Sequence, residues 1–488
     1  MAFACSVGIV FNLASAAPSA EASPRAASPW QSVPFPAQLY PGAMLLLTSG
    51  SVMVQNQTPS EGGGRDWWLL TPNAKGSYVH GSWRQVASLP TGYGPLNFAS
   101  AVLPDGRVVV EGGEYNFGKA TFTNRGAIYQ PLTNRWTPVA PPKGTQWKTI
   151  GDAPATVLAN GTFMLGGSGN YTNRTQALLD PRTLKWTITG TGKVDANEEA
   201  QFTLLPNGRV LSVGLQFTPN YAETYDPATG VWSHAGNIPV QLVLKRDEIG
   251  PLVLRPNGTV FAVGGTPHTA VYDVATGRWS AGPTFPVIAG KRPNNADGPA
   301  AVLPDGNVLV DASPGLYKPP SHFFVFNGTS LTRVPSPPEA SSVDSAVGYM
   351  LMLPTGQVLF NDRVGQMEVY SSGGRPNPAW RPVITKVPRA LTAGKTYTVF
   401  GDQLNGVTQG AYYGDDYQSA TNYPLVRITY GIDRVYYART FNMSSMAVTP
   451  RLAAHANFRL PPHLPAGKAS LVVVANGISS ASVPVTVG

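Results

Sequence analysis

A short glycine turn returns seven times along the chain. Aligned on its glycine it falls at Gly50, Gly106, Gly161, Gly208, Gly258, Gly306 and Gly356, at intervals of 56, 55, 47, 50, 48 and 50 residues. Repetition at this period means an array of one supersecondary unit, because a single unit cannot bury its own apolar face. The clearest copy, "FASAVLPDGRVVVEGG" (98–113), reads as strand, turn and strand and stops at a glycine pair. A variable loop follows, then "GAIYQPLTNRW" (126–136) as a third strand and turn, then "WTPVAPP" (136–142) as a fourth strand. Four antiparallel strands per unit make one blade of a radial array, and seven units make a propeller.

A tryptophan marks the fourth strand at Trp83, Trp136, Trp186, Trp232 and Trp279, with Leu331 in its place in the sixth unit. The seventh unit (343–371) has no fourth strand of its own. The segment "SPWQSVPFP" (28–36) has the right form, with Trp30 in place. The N-terminal segment is therefore expected to supply the last strand of the last blade, which leaves the ring no free edge for pairing with other chains. From about Asn377 the repeat gives way to alternating strands with Gly and Pro turns, expected to form an immunoglobulin-like (E-set) β-sandwich. The expected fold class is all-β, with a propeller over 28–375 and a sandwich over 376–488.

Only 13% of residues are charged, the net charge is +8, and the Lys and Arg residues are scattered. No basic run with interleaved aromatics is present, so nucleic acid is not an expected partner. The only cysteine is Cys5. It lies in a segment that is apolar from Ala2 to Leu13 and has an A-x-A pattern at Ala14–Ala16. Residues 1–27 read as a secretory signal peptide without its basic start, plus a short linker. The apolar run is too short to span a bilayer, and no later segment approaches eighteen apolar residues, so no transmembrane span is expected. A mature chain without cysteine has no disulfides and no thiolate-bound metals. A secreted, periplasmic or cell-surface location follows.

The glycine pairs, the segments "YDPATGVW" (225–232) and "YDVATGRW" (272–279), and the tryptophan spacing resemble the kelch repeat. Kelch blades followed by an immunoglobulin-like domain resemble galactose oxidase and the glyoxal oxidases, which are copper-radical oxidases. The resemblance covers nearly all of the expected mature chain. It also implies a cysteine cross-linked to a tyrosine, a second tyrosine and two histidines around copper, and here the sequence departs from it. No cysteine follows Cys5. Ala346 and Val347 stand where a Tyr-His pair should precede "GYMLMLPTG" (348–356), and Val435 stands where a histidine should follow Tyr430-Gly431. Copper is not expected, and the chain reads as a non-oxidase relative.

In kelch propellers, as the resemblance implies, the loop entering each innermost strand and the loop after each glycine pair open on one face. The residue nine before each turn glycine then points to a shared site. These residues are Pro41, Asn97, Asp152, Glu199, Ile249, Asp297 and Val347. Glu248 sits one residue off register, in a unit whose turn "LRPNG" (254–258) reads as one residue longer, and Glu198 and Asp344 lie nearby. Two carboxylates about 5 Å apart repel by roughly 3 kcal/mol at an effective dielectric near 20. Four together call for raised pKa values or for a cation. Asp152, Glu199, Glu248 and Asp297 are the candidate metal ligands. With Asn97 and backbone carbonyls they suit Ca²⁺ or Mg²⁺. A polar channel lining that binds water is the alternative.

The loops after the glycine pairs offer Tyr115, Tyr171, Phe217, Tyr221, His268, Tyr317 and His322. The entering loops offer Trp147, Lys148, Arg246 and Arg292, with Lys245 and Lys291. Flat aromatics beside polar and charged groups suit a sugar, through ring stacking and hydrogen bonds to hydroxyls. His268 and His322 stand in matching loops, as acid–base groups or as loop anchors. The segment "YYGDDYQSATNY" (412–423) reads as a long loop that could bind Ca²⁺, reach toward the propeller or stand in solvent. No Ser-His-Asp set, phosphate loop or H-E-x-x-H motif is present, so no catalytic residue is assigned. The reading is an exported carbohydrate-binding kelch propeller whose partner is a glycan or polysaccharide. The alternatives are a polysaccharide hydrolase or lyase using the carboxylates, and a cell-surface scaffold for protein interactions.

Overall fold

The computed structural model describes residues 28–58, 62–167, 172–215, 220–244, 248–413 and 417–488. The expected signal peptide, 1–27, lies outside the described residues. The described chain is all-β, with helix confined to 3-10 turns such as Thr145–Trp147. None of its helices is long and apolar enough to cross a membrane.

Among the described residues seven antiparallel sheets follow one another, six built on four strands in chain order and the last on three, completed by Trp30–Ser32 from the N-terminal end. The first is Pro41–Leu46, Val52–Asn56, Trp67–Thr71 and Ser82–Val86. The other six begin at Ala99–Val102, Ala155–Val157, Thr203–Leu204, Leu252–Leu254, Pro299–Val302 and Tyr349–Met352. The opening strand of each unit packs beside that of the next, and the seventh returns to the first, so the sheets form a closed ring consistent with a β-propeller.

The seven turn glycines have φ between 79° and 87°, a region that side-chain-bearing residues avoid. Each turn repeats one hydrogen-bond pattern, as in Leu103 N–H to Arg107 O and Gly106 N–H to Leu103 O. The fifth turn, expected to be longer, has the same length. Arg255 simply stands where the others carry leucine, donating its N–H to Thr259 O.

The tryptophans are explained by the joints between sheets. Each donates its indole N–H to a group of the preceding sheet or of the chain leaving it. Trp136 bonds Ala87 O at 2.9 Å, Trp186 bonds Ala140 O at 2.8 Å, and Trp279 bonds Ala235 O at 3.0 Å. Trp232 bonds Gln176 Oε1 at 2.8 Å, and Trp83 bonds Pro34 O at 2.8 Å. Trp30 bonds Pro335 O at 2.6 Å. In the unit without a tryptophan, Arg255 makes the joint instead, reaching Gly306 O at 3.0 Å and Asn327 O at 3.3 Å. Trp30–Ser32 pairs with the seventh unit, Trp30 opposite Tyr370 and Ser32 opposite Glu368, so the two ends of the repeat meet in one sheet.

Beyond the ring, Val383–Lys386 through Val483–Val487 form a separate nine-stranded sheet system around Val399, Val426, Ile428, Phe458 and Val473, all buried. The segment between its strands runs into the ring. Ala411–Tyr413 adds to the inner edge of the sixth unit, with Ala411 opposite Ala301. Thr408 donates to Leu254 O, Leu204 N–H donates to Gln409 Oε1 at 2.9 Å, and Ser419 donates to Met350 O at 3.1 Å. The long loop thus fills the ring's centre, and its residues 414–416 lie outside the described ones.

Candidate functional site

Six of the seven register residues stand just before the opening strands and Pro41 begins its own, at the mouth of the ring. Three of them, Asn97, Glu199 and Asp297, have φ of 52°, 56° and 55°. A non-glycine residue in the left-handed region costs energy, and such residues concentrate where a side chain must be aimed. Asp152 follows Gly151, whose φ is 71°.

These backbones bring five carboxylates together. Oxygens of Asp152, Glu198 and Glu199 lie within 4.8 Å of one another, and so do those of Glu199, Glu248 and Asp297. Glu199 belongs to both groups, so the acids of four consecutive sheets form one continuous cluster. Asp152, Glu198 and Asp297 are buried.

Burial raises the pKa of Asp297. A hydrogen bond with Glu248, the Arg363 charge and the Tyr317 hydroxyl oppose that shift, and the Asp344 charge adds to it. Tyr317 donates to Asp297 Oδ2 at 3.4 Å. Glu114 also joins the cluster. Burial raises its pKa, Asn97 and Tyr115 stabilise its charge by hydrogen bonds, and the Asp297 and Glu198 charges oppose it. Asn97 Nδ2 donates to Glu114 Oε2 at 3.0 Å, while Asn97 Oδ1 is buried with no hydrogen-bond partner among the described residues.

A buried ion pair holds the loop that carries Glu198 and Glu199. Lys193 Nζ lies 3.4 Å from Glu223 Oε2, with both side chains buried. Glu223 accepts the N–H groups of Val194 at 2.7 Å and Asp195 at 3.3 Å. Lys193 also bonds the carbonyls of Asp195 and Ala196, both at 3.2 Å. Desolvation lowers the Lys193 pKa, and the Glu223 charge opposes that.

Two clefts flank the cluster. One, about 390 Å³, is lined by Glu248, Asn294, Tyr317 and Lys318. The other, about 430 Å³, is lined by Tyr40, Leu96, Val347 and Arg363. Tyr317 is 63% exposed and Tyr40 38%, leaving two aromatic faces open to solvent at the mouth.

The remaining expected loop residues divide. Tyr115 and Tyr317 lie at the cluster, and Lys148, Lys291 and Arg292 are exposed on the entering loops. Tyr171, Phe217, Lys245 and Arg246 lie outside the described residues. Trp147 is corrected: it is 1% exposed and belongs to the core. Tyr221 stacks on His234 at 4.3 Å in the outer half of its sheet, which ties up its ring. His268 contacts Thr284 Oγ1 at 3.3 Å, and His322, buried, contacts Arg333 at 3.3 Å. Neither histidine is in the carboxylate cluster. The sequence reading missed Glu114, Arg363 and Tyr40. Glu114 follows the glycine pair Gly112-Gly113 directly, a position that could have signalled it.

No protein-family model matches the chain, and no curated protein matches it. Among solved structures, a fungal alcohol oxidase of the AA5 family, described in complex with copper, matches with a TM-score of 0.54 at 15% identity. The match covers 94% of this chain and 98% of that one. The extracellular domain of the hybrid two component system BT4673 from B. thetaiotaomicron matches with a TM-score of 0.48 at 11% identity, over 77% of this chain and 46% of that one. The chain is thus an all-β protein that shares the fold of a galactose oxidase-family enzyme. At this identity the likeness extends to the fold alone.

Copper, named with that neighbour, does not fit the donors present. The cluster is built of carboxylate oxygens with Asn97 beside it, a set suited to hard cations such as Ca²⁺ and Mg²⁺ rather than to a centre that needs imidazole.

Proposed function

We propose that this chain is an exported carbohydrate-binding protein, a seven-bladed kelch propeller over 28–375 with an immunoglobulin-like domain over 376–488. On this reading it is a relative of galactose oxidase without the copper-radical ligands. Its glycan site is the mouth of the ring, with a divalent cation, Ca²⁺ or Mg²⁺, held by Asp152, Glu199, Glu248 and Asp297. One observation carries the reading: Asp152, Glu198 and Glu199 meet within 4.8 Å of one another, as do Glu199, Glu248 and Asp297, so acids from four consecutive sheets are linked through Glu199. Such a cluster costs repulsion that an ion or a proton must offset. Sugar hydroxyls can complete the coordination of a hard cation. Tyr40 and Tyr317 supply stacking faces, and the flanking clefts are of the size small-ligand sites have.

A glycan array probed in Ca²⁺, in Mg²⁺ and in EDTA tests the reading. Binding to a defined set of glycans that EDTA abolishes is expected, and no binding under any condition refutes it. A second reading rests on Asp297. A carboxyl whose pKa burial raises, bonded to a neighbouring carboxylate, is the pairing that acid–base hydrolysis or elimination uses. Release of reducing ends or of unsaturated sugars from a bound glycan would establish that reading in place of simple binding.

A further inference from the structure

We propose that the cleft between the first two sheets of the ring and the C-terminal sheet system is a binding site for a ring-bearing organic carboxylate. The cleft holds about 410 Å³, and its lining includes three guanidinium groups and no carboxylate side chain. Arg84 comes from the outer strand Ser82–Val86 of the ring. Arg439 and Arg459 come from the C-terminal strands Arg434–Phe441 and Ala453–Arg459.

The last two stand directly opposite each other across an antiparallel pair. Like charges in that position are destabilising. Burial lowers the Arg439 pKa and the Arg459 charge lowers it further, against the attraction of Asp105. Among the described residues none of the three arginines lies within 4.0 Å of a carboxylate oxygen. Asp105 is bound to Arg107 at 2.6 Å, and Arg439 donates to the Asp105 backbone carbonyl at 2.6 Å, with its guanidinium 5.0 Å from the centre of the Phe441 ring. Among the described residues Arg439 Nε is buried with no hydrogen-bond partner. Packing does not require charge at this pair, since uncharged side chains of similar length would remove the repulsion. An anion in the cleft removes it too.

The ligand's chemistry follows from the walls. A guanidinium fork matches a planar carboxylate through two parallel N–H···O bonds. Around it stand Tyr437, which is partly exposed, Pro462, and Leu132, which is 60% exposed, and they offer flat and apolar surfaces to a ring. The volume suits one or two rings rather than a long chain. A free aromatic acid and a uronic-acid residue of a glycan share this chemistry.

The test is titration calorimetry on the full chain with 4-hydroxybenzoate and with methyl glucuronoside. Phenol, methyl glucoside and sodium sulfate serve as controls. At least one carboxylate is expected to bind while its neutral counterpart does not, and the one that binds identifies the source. Arg84→Gln and Arg459→Gln should each weaken binding by about tenfold, as loss of a charge-assisted contact does. Both side chains are exposed, so the variants should fold, and melting temperatures at or above the native value would show that they have. Asp152→Asn at the ring mouth should leave this binding unchanged, which separates the cleft from the glycan site. Absence of binding by both carboxylates overturns the proposal. So does affinity unchanged in the arginine variants, or sulfate binding as tightly as the organic acids.

Discussion

Replacing Asp297 by asparagine removes one charge from the cluster with little change of shape, and the consequence reverses with the cation. Two carboxylates at 4.8 Å repel by about 3.5 kcal/mol at an effective dielectric near 20. In EDTA the substitution relieves most of one such repulsion. It weakens the hydrogen bond from Tyr317 and loses the attraction of Arg363, together about 1–2 kcal/mol. The variant should therefore match or slightly exceed the native chain in stability when no cation is present. Saturating Ca²⁺ or Mg²⁺ should reverse the order, because an ion at a hundred times its dissociation constant stabilises the native chain by about 2.7 kcal/mol. For a chain of this length that is only a few degrees in melting temperature. Denaturant titration followed by tryptophan fluorescence, alongside calorimetry, gives the needed precision. If exhaustive dialysis against EDTA leaves the native stability unchanged and neither cation raises it, the cation site is refuted. If the variant is instead less stable in every buffer, the cluster is a polar network lining the channel.

Deleting residues 28–36 removes the strand paired with Met367–Tyr370 and the Trp30 joint. It should lower ring stability by several kcal/mol, and a denaturation midpoint equal to the parent's would refute closure by this strand. Asp311 is fully buried, and burial pushes its carboxyl up to about 7. Because the folded chain then binds more protons than the unfolded one, stability should fall as pH rises from about 4 to about 7. Asp311→Asn should flatten that fall and be more stable than the parent at pH 8 by about 2–4 kcal/mol, as read by denaturant midpoints across pH. Glu223→Gln strands Lys193 as an unpaired buried cation and should cost about 3–5 kcal/mol, with loss of ligand binding at the mouth. The double change Lys193→Met/Glu223→Gln should recover most of that stability, and failure to recover it would show that the carboxylate acts on the loop without the lysine.

Features that depend on neighbours along the chain were legible in the sequence. The seven turns, the strand count per unit, the tryptophan on six of the seven outer strands and the acids near one register are all periodic. A ring translates linear period into angular position, so equal spacing along the chain becomes convergence at one mouth. Glu248 was legible as an acid near register, although the reason given for its offset was wrong, since the turn after it has the ordinary length.

What could not be read was the direction of each loop side chain. Trp147 looked like a ligand-facing aromatic and is core, because a 3-10 turn points it inward. Tyr221 spends its ring on His234. Glu114 and Arg363 enter the site through hydrogen bonds and charge across loops far apart in sequence. The opposed pair Arg439 and Arg459 exists only through the register of two C-terminal strands. The amino-acid sequence thus determined the repeating unit and its chemistry at fixed positions, because these rest on turn geometry and on short-range alternation. The tertiary structure decided which carboxylates lose their water, which partners oppose their repulsion and which aromatics stay open. Desolvation and Coulomb energy depend on distances through space, and those exist only once the ring has closed.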